Sequence, residues 1–187
     1  MFLKRQDPNV LVVGMAGAKM GDRLLHVACP NGTRMAALAA KVGLSGRAVA
    51  VVADEASAAR ARKGAEDAGV LVEIEIAPAT RLPIDDASID LAVVDDTGGA
   101  FAALTTEERG AAVRELARVV RPGGRTVIIG TGSATGLARL LGKATAPSFA
   151  TSSDGGAALQ NAGFRSVRTL AEREGLVFVE GVKPRSS

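Results

Sequence analysis

A chain of 187 residues with 47% apolar residues is long enough for one packed domain, and 23 Lys and Arg against 20 Asp and Glu leave a net charge of only +3. The basic residues are interleaved with acids and the aromatics are five Phe without Tyr or Trp, so neither an electrostatic footprint nor a stacking surface for nucleic acid is expected. With no apolar run of about 18 residues, no signal-peptide pattern, one cysteine (Cys29) and one histidine (His26), the expectations are a cytoplasmic location, no membrane span, no internal disulfide and no metal site.

In chain order, residues 1–8 read as a polar arm and Asn9 to Met20 as a helix. Its Gly14, Gly17 and Gly21 lack the glycine-lysine-Ser/Thr order of a phosphate loop and suit a closely packed helix. Leu24, Leu25 and Val27 make a short buried strand; Pro30, Asn31 and Gly32 break it, and helix formers resume from Met35 to Val42. After a turn from Gly43 to Gly46, Ala48 to Val52 is a second buried strand. Glu55 to Ala68 is a helix that Asp54 can cap and Gly69 ends. Leu71 to Ile76 alternates Glu73 and Glu75 with apolar residues, as an edge strand would, and Pro78 to Asp86 is loop. Ile89 to Val94 is a fourth strand, ending on Asp95-Asp96-Thr97-Gly98-Gly99. Thr106 to Val120 is an amphipathic helix stopped by Arg121-Pro122-Gly123-Gly124, and Arg125 to Ile129 is a fifth strand. The stretch from Gly130 to Gly156, rich in Gly, Ser and Thr around a short apolar helix (Leu137 to Leu141), reads as a lid or binding loop. A helix from Ala157 to Ala162 and two strands, Phe164 to Leu170 and Leu176 to Val182, close the chain with a hairpin near Glu172 to Gly175. Strands alternating with helices before a terminal hairpin predict an α/β fold with an open, mostly parallel sheet and an antiparallel edge.

Three runs carry a family resemblance: Arg114-Glu-Leu-Ala-Arg-Val-Val-Arg-Pro-Gly-Gly-Arg-Thr-Val-Ile-Ile, Leu82-Pro-Ile-Asp-Asp-Ala-Ser-Ile-Asp-Leu-Ala-Val-Val, and Leu159-Gln-Asn-Ala-Gly-Phe-Arg-Ser-Val. With Gly21-Asp-Arg-Leu-Leu at the front, they resemble class I S-adenosylmethionine-dependent methyltransferases in order, over roughly residues 9 to 183. The resemblance implies a Rossmann-like single domain over 1–187, with seven strands ordered 3-2-1-4-5-7-6, the seventh antiparallel, and helices on both faces.

It also implies where S-adenosylmethionine would sit, and the chain departs from the pattern there. His26 stands for the acid closing strand one, and Ala28, Pro30 and Gly32 stand for three glycines, so one glycine of three remains. Val52, followed by Ala53, stands for the acid that accepts the ribose hydroxyls, and Ala77-Pro78-Ala79 for the Gly-Asp-Ala that meets the adenine amino group; neither offers a side-chain acceptor. Three lost hydrogen-bonding anchors would weaken cofactor binding by about 3–9 kcal/mol. Asp54, two residues beyond Val52, is a helix cap or a substitute ribose acceptor. Cys29, in the turn, is an ordinary residue of this family there or a helix-stabilised thiolate. Asp95 and Asp96, at the carboxyl edge of strand four, are a base and its orienter or a solvated loop. Arg34 reads as a surface residue.

Two functions follow. One is a family member with an altered cofactor pocket, non-catalytic or repurposed, that acts by binding a partner or a different small ligand; the other is a working methyltransferase of a small molecule that holds S-adenosylmethionine through backbone contacts and through Asp54 or Asp95, with Asp95 or Asp96 as base. On the first, proline stiffens the turn, Ala28 fails to adopt glycine torsions, and the cavity narrows, lined by His26, Val52 and Pro78. Helix amides from Thr33 onward would then leave a weak anion site facing the cleft.

Overall fold

The structure, a computed structural model, describes residues 9–132, 148–150 and 153–185. The expected arm at 1–8, the short helix from Leu137 to Leu141 and most of the expected lid lie outside the described residues. Among the described residues no helix is long and apolar enough to cross a membrane.

Seven strands form one sheet in the order β3-β2-β1-β4-β5-β7-β6. These are β1 (Arg23–Val27), β2 (Arg47–Val52), β3 (Glu73–Ile76), β4 (Ile89–Asp95), β5 (Val120–Thr131), β6 (Arg165–Arg173) and β7 (Leu176–Val182). The first five run parallel, while β7 is antiparallel to both β5 and β6, as the resemblance implied. Nearly every residue of β1, β2 and β4 is buried, because helices cover both faces, and such strands read as unbroken apolar runs. On one face Leu25, Val27, Val51, Ala92 and Val94 pack under Val113, Leu116 and Val119 of α4 (Thr106–Val119). On the other, Leu24, Leu91, Val93 and Val127 pack under Leu38 and Val42 of α2 (Gly32–Val42) and Val12 and Ala16 of α1 (Val10–Ala16).

The segment that carried the resemblance is tied down by one arginine. Arg118 of α4 donates to the carbonyls of Leu82 (3.0 Å) and Ile84 (2.8 Å) and pairs with Glu115 and Asp86, and Glu115 accepts from the Leu82 amide at 2.8 Å. The loop entering β4 is thereby fixed to the helix leaving it. At the start of that helix, Thr105 and Glu108 form a reciprocal capping box.

Several boundaries differ from the sequence expectation. The first helix stops at Ala16, not Met20, because Gly17 takes a left-handed φ of 62° and its amide returns to the Val13 carbonyl. The third strand is shorter, beginning at Glu73. Arg121 to Gly124 does not separate helix from strand: β5 starts at Val120, opposite Ile89, and the register jumps to Leu91 opposite Arg125, so these four residues bulge from one strand. The last helix, α5 (Ser153–Asn161), starts earlier than Ala157. The terminal hairpin turns on Glu174 and Gly175, both at positive φ, which matches the strand twist.

The helices α2 and α3 (Glu55–Ala68) touch backbone to backbone. A methyl group at Gly32 would overlap the Arg60 carbonyl, and one at Gly64 would overlap the Gly32 backbone. Helix propensity favours alanine over glycine by about 1 kcal/mol, whereas overpacking against immovable backbone costs about 1–3 kcal/mol or more. Gly64→Ala is therefore expected to lower the unfolding free energy in urea. Gly110→Ala, on α4, where the new methyl meets only the tip of the flexible Arg114 side chain, should raise it by up to about 1 kcal/mol.

Candidate functional site

The parallel strands β1, β2, β3 and β4 all end at one edge of the sheet, and the order reverses between β1 and β4, where an open α/β sheet offers a crevice to ligands. Immediately after β1, Ala28 adopts φ 60°, with its amide bonded to the Val51 carbonyl at 2.9 Å. This corrects the expectation that alanine would refuse the torsion of a glycine. That strand-end hydrogen bond helps to hold it there against a penalty of about 1–2 kcal/mol. Pro30 is half-buried and lies against Gly98, in the 3-10 turn Asp96–Gly98 that follows β4: a methyl on Gly98 would come within 3.0 Å of the ring.

Asn31, extended at φ −138°, caps α2: its side-chain oxygen accepts from the amides of Thr33 (3.1 Å) and Arg34 (3.2 Å) and from the Thr33 hydroxyl (2.8 Å). The helix begins at Gly32, and the amides expected to leave a weak anion site are already satisfied by that cap. Arg34 is not a surface residue. Its side chain is 13% exposed, and one guanidinium nitrogen sits 2.9 and 2.7 Å from the two oxygens of Asp95, which is fully buried, and 2.9 Å from the Thr97 hydroxyl. The pair spans the crevice from the first turn of α2 to the end of β4.

The adjacent carboxylates face different neighbours. Asp95 is engaged by Arg34 and by the amide and hydroxyl of Thr97. Asp96 accepts from the amides of Phe101 (2.7 Å), Ala102 and Phe149 (2.7 Å); burial raises its pKa against the pull of those amides. They do not form a mutually hydrogen-bonded dyad.

His26 is 1% exposed on β1, between Ala50 of β2 and Val93 of β4, and neither ring nitrogen has a hydrogen-bond partner among the described residues. Burial lowers its pKa below the ordinary 6.5; the Asp95 charge and the Ala28 backbone pull the other way, and the Arg34 charge adds to the lowering. Cys29 is buried against Met35, Ala50, Val52 and Ala58, and its thiol is pushed up to about 11 by burial and by Asp95, so it is a neutral packing residue at pH 7.

Val52 ends β2 with its carbonyl accepting the Ala77 amide at 2.9 Å. Asp54 caps α3 through the Ser57 amide at 2.7 Å, a bond that also lowers its pKa. A cavity of about 180 Å³ opens where Val27, Ala28, Val51 and Ala53 meet Ala77, Pro78, Ala79 and Thr80. Of the three side chains expected to line a narrowed cavity, only Pro78 does so. His26 and Val52 lie on the opposite face of their strands from Val27 and Val51, as the period of two requires. Ala100, Phe101, Leu104 and Glu108 form the far wall, and sequence reading missed them. The available signal was Phe101, one of only five aromatic residues, directly after Gly98-Gly99-Ala100. Among the described residues no three His, Cys, Asp or Glu side chains come together as a metal site needs.

Comparison with known proteins defines the class. The family described as "Methyltransferase domain" matches residues 24–124, more than half of the chain, which therefore belongs to that family. The ubiquinone/menaquinone biosynthesis C-methyltransferase UbiE of Pseudomonas putida is 31% identical over 119 residues, 63% of this chain and 44% of the relative. The chain spans less than half the length of the curated relatives it matches. Among solved structures, a SAM-dependent methyltransferase from Aquifex aeolicus superposes with a TM-score of 0.74 at 20% identity, over 94% of this chain and 89% of that one. The [4+2]-cyclase SpnF superposes with a TM-score of 0.68 at 18% identity, over 95% and 80%.

Two outcomes follow from the buried charges. Arg34→Met leaves Asp95 without its cation and should destabilise the fold by about 3–5 kcal/mol in urea titrations, while Arg34→Met/Asp95→Leu, which removes both partners, should recover most of the loss. Because His26 titrates lower when folded than when unfolded, the folded chain binds fewer protons below pH about 6.5, and stability falls as pH drops. The slope from this residue is at most about 1.4 kcal/mol per pH unit. His26→Leu should flatten the decline of unfolding free energy between pH 6.5 and 5; an unchanged slope would assign the decline to other groups.

Proposed function

We propose that this methyltransferase-family protein does not use S-adenosylmethionine in the family manner and instead binds a different small ligand or a protein partner. The observation that carries this is the Arg34–Asp95 pair across the crevice between β1 and β4, with Pro30 packed on Gly98 beside it. The resemblance puts the methionine end of the cofactor in that crevice. Three further features support the proposal. No side-chain acceptor stands at Val52 or Pro78, and Asp54 caps α3 through one carboxylate oxygen. The cavity of about 180 Å³ is smaller than the 300–1,000 Å³ usual for ligands of cofactor size. The amides of Thr33 and Arg34 at the start of α2 are taken by Asn31. A solved cyclase with the same fold is a case of that fold carrying chemistry other than methyl transfer.

A second reading, a working methyltransferase of a small molecule, is favoured by the left-handed Ala28, which keeps the glycine-like turn that lets a ligand approach the backbone. In that reading Asp95 or Asp96 would have to exchange its present partners for a substrate proton. Calorimetric titration with S-adenosylmethionine and S-adenosylhomocysteine separates the two. A dissociation constant above about 100 µM is expected for both, whereas a constant near 1 µM would establish the working enzyme.

A further inference from the structure

On the reading that the family cofactor is not taken, we propose that the cavity behind Pro78 is a binding site for a compact, uncharged ring compound of about ten non-hydrogen atoms carrying one hydrogen-bond donor. The wall is apolar almost throughout: Val27, Val51, Pro78, Ala79, Phe101 and Leu104 contribute carbon surface. Its volume of about 180 Å³ is on the scale of an engineered apolar cavity of about 150 Å³ that stays dry and takes benzene. No lysine or arginine lines it, so nothing there compensates an anionic ligand.

Polarity enters at two side chains only. The Thr80 hydroxyl has no hydrogen bond among the described residues, and Glu108 uses one carboxylate oxygen for both of its bonds to Thr105, at 2.8 and 2.9 Å, leaving the other without a described partner. Two acceptors beside an apolar wall suit a single N–H or O–H. Adenine, with several donors and acceptors around its rim, would leave those turned to the buried Val27, Val51 and Phe101 wall unpaired, and each unpaired group weakens binding by about five- to a hundredfold.

The back wall is fixed before any ligand arrives. The Phe101 amide is held by Asp96 at 2.7 Å, and its ring packs on Phe149 with centroids 5.9 Å apart. A preformed wall spares the ligand the ordering that a loose loop would demand.

Indole serves as the probe, titrated by calorimetry beside adenine and S-adenosylhomocysteine into wild-type protein and into Ala79→Leu, which fills the cavity. Ala100→Leu, at an exposed lining position, is the second filling variant should Ala79→Leu fail to fold. Expected is an indole dissociation constant of about 0.1–1 mM, weakened at least about tenfold by either filling variant, with adenine weaker than indole. Absence of indole binding, indole binding unchanged by filling, or adenine binding as tightly as indole would overturn the site, while absent S-adenosylhomocysteine binding in the same series would leave the proposed function standing. Micromolar S-adenosylhomocysteine binding would overturn both.

Discussion

A guanidinium and a carboxylate in contact, one nearly and the other fully out of water, set the terms for the carboxyl edge of this sheet. Arg34 and Asp95 come from elements 61 residues apart, and neither charge tolerates that position without the other. The buried pair is poor evidence of net stabilisation, because removing two ions from water offsets most of their attraction. Its effect is geometric: α2, β4 and the turn after β4 can occupy only the arrangement in which both charges are matched. In the same low-dielectric neighbourhood burial keeps His26 and Cys29 neutral.

The same edge shows how a shared backbone course accommodates different side-chain chemistry. Family membership and the sheet order are carried by the packing of β1, β2, β4 and α4 and by the Arg118 network, all of which lie below the strand ends. Beyond the strand ends the loops are freer to vary: Pro78 is exposed, whereas Val52, the last residue of β2, is buried with Cys29, Met35 and Ala58. Pro78 therefore fits the fold as well as an acid would, and the apolar cavity it lines needs no change in topology.

The sheet and its order were legible in the sequence because each central strand is an apolar run between turn residues, and because the Leu82 and Arg114 runs bring a resemblance that fixes the connection. The caps at Asp54 and Gly69 were legible for the same reason: their partners lie within a few residues. What escaped was mainly non-local. Arg34 has no neighbour in sequence that would mark it as buried, since its partner lies on another strand. Phe101 and Leu104 reach the cavity only because Asp96 folds the loop after β4 back on itself. Ala28 escaped for a different reason: intrinsic preference argues against its torsion, and the tertiary hydrogen bond to Val51 overrides that preference.

Gly32, the one glycine remaining of the three that the family places in this turn, lies against the backbone of α3 at Arg60 and Gly64. Its lack of a side chain is thus demanded from behind, by the approach of two helices. The scaffold alone requires glycine at this position, whatever ligand the turn meets, so a glycine retained there is in itself a measure of how closely two helices touch.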